Sequence, residues 1–209
     1  ISERQPFPGP GLLVRCVGRV EPVKLKTLKQ STLIVEKHLA TTGGQQFFAA
    51  VLDNTIEDHP SKEPFQKQVS ERLKIRSREV KVNILQNKAT GVKGDVRAYG
   101  RIASVSIPNQ QREVYGWLIE KLKKLQSELI SLNPEFTRIL YTVKEGKEGP
   151  PYDVAIRAIE TRDFMTADIV AIPWATLMAI AKEILKECPN VAHVHYDLTS
   201  KPPATIEFE

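Results

Sequence analysis

Apolar and polar positions alternate along this chain in two rhythms, and the order of those rhythms predicts its elements. Residues 12–17 are a short apolar run and are expected to form a strand. From Pro22 to about Leu39 the period lengthens. Leu25, Leu28, Leu33, Val35 and Leu39 make an imperfect helical face, with Lys24, Lys26 and Lys29 expected on the solvated side. TTGG at 41–44 ends that helix, and FFAAVL at 47–52 reads as a buried strand. Residues 54–79 hold Pro60, Pro64 and mixed charges, which predicts a solvated, charge-laced insertion with a short helix over about 64–73. Val80, Val82 and Ile84 then alternate with polar residues, the pattern of a half-exposed strand.

The remainder repeats itself. A strand at 101–107, a helix over about 112–132 with Leu118, Leu122, Leu125 and Leu129 on one face, and a strand at 137–143 make one unit. A Gly/Pro/charge connector at 144–151 leads to a second: strand 152–159, helix 173–188, strand 191–198. Ile139, Leu140 and Tyr141 match Val194, His195 and Tyr196 at an offset of about 55 residues. The expected fold class is therefore α+β with two layers: duplicated β-α-β units, at about 80–143 and 152–209, packing helices on one face of a mixed sheet. Two such units can pack as a pseudo-symmetric pair, as two subunits would.

Composition narrows the classes. The chain has 209 residues, 41% hydrophobic and 26% charged, which suits a globular core. No apolar run approaches the roughly 20 residues of a membrane-spanning helix, so no membrane partner is expected. Net charge is +5 with a pI near 9.1, which favours an anionic ligand without demanding nucleic acid. Cys16 and Cys188 are far apart and are expected as buried free thiols in a reducing, cytoplasmic setting. Abundant Lys and Glu suit a heat-tolerant source. The chain starts at Ile1 inside RQPFPGPGL (4–12), a stiff, turn-rich stretch that reads as a linker, so a piece of a longer polypeptide is expected.

Few residues suggest chemistry. GVKGDVRAY at 91–99 lies between two predicted strands, which excludes a P-loop; it is either a structured turn with an Asp-Arg pair or the polar rim of a ligand site. His193 and His195 share one strand face, but two histidines without a third ligand make no metal site. Asp163 beside Thr166 fits a cap or turn, and no nucleophile–base pair is found, so no catalytic residue is assigned. The carboxy end, YDLTSKPPATIEFE at 196–209, begins as a strand and is then stiffened by Pro202 and Pro203. Lys201 ahead of them is a point-charge donor suited to phosphate, or an ordinary surface lysine; Ile206 and Phe208 flanking Glu207 imply a tail that docks.

RQPFPGPGL (4–12), GVKGDVRAY (91–99), IRAIETRDFMTA (156–167) and YDLTSKPPATIEFE (196–209) occur together in the order seen in GMP synthases. The chain resembles the C-terminal part of that family, the domain that dimerises and binds XMP. The resemblance implies residues 1–11 as a linker from an upstream ATP-pyrophosphatase domain, where ATP and Mg2+ are expected, and residues 12–209 as the C-terminal domain, binding no cofactor itself. A glutaminase domain or subunit would supply ammonia that displaces AMP from adenylylated XMP. Neither an SGGVDS-type ATP loop nor a glutaminase triad occurs in these 209 residues, so the piece is expected to be inactive alone. The resemblance implies Lys201 against the XMP phosphate, with Glu207, Ile206, Gln46 and Asp95 contacting the nucleotide. Where many relatives carry a phosphate-binding arginine this chain has His193, with Arg138 at the equivalent place in the first repeat. The doubled unit leaves homodimer and internal pseudo-dimer both open. A KH-like RNA module and a ligand-free oligomerisation domain are the alternatives.

Overall fold

The computed structural model describes residues 11–40, 46–94, 96–107, 113–161 and 165–209. The chain opens with a 3-10 turn, Gly11–Arg15, and then runs through α1 (Pro22–Leu39), β1 (Gln46–Asp53), β2 (Ile56–Glu57), α2 (Lys62–Leu73), β3 (Lys81–Lys93) and β4 (Val96–Ser106). It continues with α3 (Glu113–Leu132), β5 (Phe136–Glu145), β6 (Tyr152–Glu160), β7 (Asp168–Ile169), α4 (Trp174–Glu187) and β8 (Val191–Asp197). The strands form one mixed sheet in the order β1-β6-β8-β5-β4-β3-β2, with β7 beside β6. This is the α+β, two-layer class that the periodicity predicts.

The duplication is written into the register. β4 and β5 are parallel, β6 and β8 are parallel, and β5 and β8 meet antiparallel at the centre. Tyr141 and Tyr196, which the repeat equates, are direct register partners. Leu140 lies opposite Asp197 and Thr142 opposite His195. A two-fold axis between the central strands demands that pattern, because it exchanges Leu140 with His195 and Thr142 with Asp197. The outer strands obey it too: Val105 pairs with Tyr141 as Ile156 pairs with Tyr196.

The helices bury one side of the sheet. Leu177, Ile180, Ala181 and Ile184 of α4 are fully buried, and Trp174 meets Tyr141 edge to face at 6.3 Å. Cys16 and Cys188 are free and buried, and burial pushes the Cys188 thiol up to about 11. Among the described residues no helix is long and apolar enough to cross a membrane.

Three expectations need correction. Residues 12–17 are a 3-10 turn followed by a single bridge from Cys16 to Val51, not a strand; Gly11, at φ +81°, turns the chain into it. Lys24 is not solvated but 0% exposed, its ammonium held by the Val17 carbonyl and by Asp53 at 2.7 Å, while Leu33 of the supposed apolar face is 61% exposed. The 54–79 stretch is not simply solvated. Its helix α2 buries Phe65, Val69 and Leu73, and Phe65 packs against Phe136 at 5.0 Å between ring centroids. Charges on the outer face of α2 hide that inward stripe from a composition-based reading.

Candidate functional site

Strand alternation sets Arg138 of β5, Asp197 of β8 and Arg157 of β6 on one face of three neighbouring strands. All three are 0% exposed. Asp197 Oδ2 accepts hydrogen bonds from Arg138 Nη1 at 2.6 Å and Arg157 Nη1 at 2.7 Å, and Oδ1 accepts the Thr199 amide at 2.9 Å. Burial alone would raise the carboxyl, but Arg157 and Arg138 outweigh it and hold Asp197 below the usual carboxylate range. Burial draws Arg138 down to about 10, offset in part by Asp197.

The arginines direct their remaining N–H groups at the carboxy tail. Arg157 donates to the carbonyls of Thr199 and Thr205, both at 2.9 Å. Arg138 donates to the Thr205 carbonyl and hydroxyl at 3.0 and 3.1 Å and to the Glu207 carbonyl. Its guanidinium also lies 3.9 Å from the ring centroid of buried Phe208. The tail thus returns over the sheet face. Lys201 exchanges backbone hydrogen bonds with Ala167, and the Pro203 carbonyl accepts from the Val92 amide at 2.7 Å. The peptide bonds on both sides of Pro202 are cis. A Cβ at position 91 would stand 2.7 Å from both the Pro203 carbonyl oxygen and the Thr137 side chain, so a side chain there forces its neighbours to shift. At the far end Glu207 takes a bidentate pair from Arg15 at 3.1 and 3.2 Å, and Glu209 bonds the Val14 carbonyl and the Gly18 amide.

The residues singled out from the sequence divide between two ends of the sheet. Lys201 is half-buried, at the turn of the tail. Gln46 is buried at the first position of β1, opposite Ile159 and so toward the same end. Ile206 points into the core and Glu207 lies against Arg15. Asp95 falls outside the described residues; Gly91 to Lys93 belong to β3 and Gly94 turns the hairpin at φ +59°. Arg138 joins the tail. His193 does not: it sits near the start of β8, where its Nδ1 hydrogen-bonds Asp153 at 2.9 Å. His195 binds the other oxygen of Asp153 at 3.2 Å and Thr142 at 3.1 Å.

This second cluster is a pH-sensitive structural element. The hydrogen bond to Asp153 raises the His193 pKa above 6.5. Burial would raise Asp153, but its hydrogen bonds from His193 and His195 pull it down to about 2. The Asp153 contribution is therefore present above 3.8 and lost as pH falls through about 2. The His193 contribution is complete below 6.5 and lost as pH rises through its raised folded pKa. Asp153→Asn is expected to flatten the loss of stability on the alkaline side of 6.5, measured as urea unfolding from pH 5 to 9; an unchanged slope would show that the pair is not the source.

Sequence reasoning passed over Arg157, Asp197 and Arg15. A signal for Arg157 existed, a lone cation inside the apolar strand YDVAIRAIE. Nothing local marks Arg15 as a partner of Glu207, 192 residues away.

Known proteins resemble this chain in sequence. Residues 143–208 match the family described as GMP synthase C terminal domain. Over all 209 residues the chain is 44% identical to one subunit of the glutamine-hydrolyzing GMP synthase of Saccharolobus solfataricus, covering 49% of that protein. The corresponding protein of Sulfurisphaera tokodaii is 40% identical with 50% covered, and that of Archaeoglobus fulgidus 32% identical with 41% covered. The chain spans about half the length, or less, of these curated relatives.

Proposed function

We propose, from the match of residues 143–208 to the GMP synthase C terminal domain family, that this chain is the part of a GMP synthase that holds XMP while chemistry carried elsewhere converts it to GMP. A domain outside these residues binds ATP and Mg2+ and transfers AMP from ATP to the oxygen on C2 of the xanthine, releasing pyrophosphate. Ammonia from a glutaminase domain or subunit then attacks that carbon and expels AMP. What remains for this chain is to hold the nucleotide in reacting position, itself a large part of catalysis.

The reading rests above all on the docked tail. Its buried ion network turns residues 199–205 into a fixed loop, so Lys201 is presented on a rigid support and not on a frayed end. Lys201 meets the phosphate as a charge-assisted donor. Glu207, oriented by Arg15, keeps acceptor capacity for a purine N–H. Ile206 and Gln46, both buried, back the site from within, and Asp95 is the further contact that the family resemblance implies. His193, at the opposite end of the sheet, takes no part, so the phosphate charge is met without it. The two-fold between β5 and β8 supplies internally the pairing that two copies would otherwise make. The KH-like alternative loses its motif, because Gly91 to Gly94 lie in a β-hairpin and not between helices.

In the intact protein, given ATP, Mg2+ and ammonium, Lys201→Ala is expected to raise KM for XMP about 10- to 100-fold with little change in kcat, the signature of a lost charged hydrogen bond of about 1.5–3 kcal/mol. An unchanged KM would overturn the reading and favour a ligand-free oligomerisation role.

A further inference from the structure

Lys201 sits on a five-residue span between Thr199 and Thr205 whose two ends converge on one side chain. Arg157 donates to the Thr199 carbonyl through Nη1 and to the Thr205 carbonyl through Nη2, both at 2.9 Å. Arg138, its neighbour on Asp197, directs its tail contacts to the Thr205 end and the Glu207 carbonyl. Arg157 is thus the side chain that spans the loop, beside the backbone bond from the Ala204 amide to the Ser200 carbonyl at 3.0 Å. Its third anchor is Asp197 at 2.7 Å, and it is 0% exposed, so water cannot substitute for any of these bonds. The planar fork of a guanidinium fixes the spacing of its two acceptors in a way an ammonium cannot. From the other side, the loop is limited by Gly91, with the Pro203 carbonyl 2.7 Å from where a Cβ would stand.

We infer that Arg157 is a positioning residue for phosphate recognition: it sets the span of the 199–205 loop and thereby the place of the Lys201 ammonium, without touching the nucleotide. The inference rests on the reading of Lys201 given above. Arg157→Lys keeps the charge and the Asp197 partner but cannot hold both carbonyls at the guanidinium spacing. A displacement of the Lys201 ammonium by about an ångström is enough to weaken a point-charge contact by an order of magnitude.

The test measures KM for XMP in the intact protein with ATP, Mg2+ and ammonium. Arg157→Lys is expected to raise KM about 10-fold with kcat nearly unchanged. Combined with Lys201→Ala it should add nothing to the Lys201→Ala effect, because both act through one ammonium. Multiplying effects would overturn the inference. Leu177→Ala, which opens a cavity in α4 away from the tail, should lower Tm with KM unchanged; a similar rise in KM there would mean that general destabilisation is responsible, and would also overturn it. If Lys201→Ala alone leaves KM unchanged, the reading of Lys201 fails and the inference with it. If Lys201→Ala raises KM and Arg157→Lys does not, only the inference fails. Should Arg157→Lys not fold, Gly91→Ala moves the same loop from its other side: a raised KM supports the inference, and an unchanged one sinks it.

Discussion

Asp197→Asn is expected to destabilise the fold by about 3–5 kcal/mol, the cost of removing one member of a buried ion network. The substitution keeps the shape and removes the charge. Among the described residues Asp197 is the one carboxylate that Arg138 and Arg157 share, and all three are fully buried, so two guanidiniums would lose this counter-ion. Arg138 keeps its proton at neutral pH, even though burial already draws it down to about 10. The amide would also turn one of its two acceptor positions into a donor, facing either the Thr199 N–H or the arginines. Urea unfolding at neutral pH measures the loss. A change below about 1 kcal/mol would mean that water reaches the network and that the tail is not sealed.

Phe208→Ala should cost about 3–5 kcal/mol, the range for deleting a fully buried aromatic ring. Phe208 is the plug of the tail: its side chain is buried against the Arg138 guanidinium, and its carbonyl accepts the Thr90 amide at 2.8 Å. Without the ring, both the cavity and a lost cation–π contact loosen residues 205–209. Phe208→Leu refills most of the volume and should recover most of the stability. Limited proteolysis under native conditions gives a second measure: the alanine variant should be cut within residues 199–209 far faster than the leucine variant. Equal resistance of the two would show that the backbone bonds to Thr90 and Val14 hold the tail by themselves.

How much of this was legible in the sequence varies by element. The helices α1 and α4 and the strands β1, β5, β6 and β8 follow from local period, which tertiary contacts reinforce. The doubled unit was legible as well, because Tyr141 and Tyr196 sit in matching contexts. Lys24 was not, since its burial depends on Asp53 and the Val17 carbonyl, which converge only after the chain folds. Docking of the tail could be read from Ile206 and Phe208. The surface it docks on could not, since Arg138 and Arg157 come from strands 59 and 40 residues before their shared aspartate. Of the candidate site, the cation on the stiff loop was visible and the clamp beneath it was not. A hydrogen-bond partner distant in the chain leaves no periodicity behind.

The two-fold axis between β5 and β8 carries a consequence for how the molecule can change. In a pair of identical subunits every substitution is made twice, once at each end, so neither end can specialise alone. Joining both halves in a single chain lifts that constraint. Where one end holds Arg138 and Asp197, the positions equated with them at the other hold His193 and Thr142. A mutation at one of these ends is a single event, and each can drift, or acquire a task, while its counterpart stays as it is.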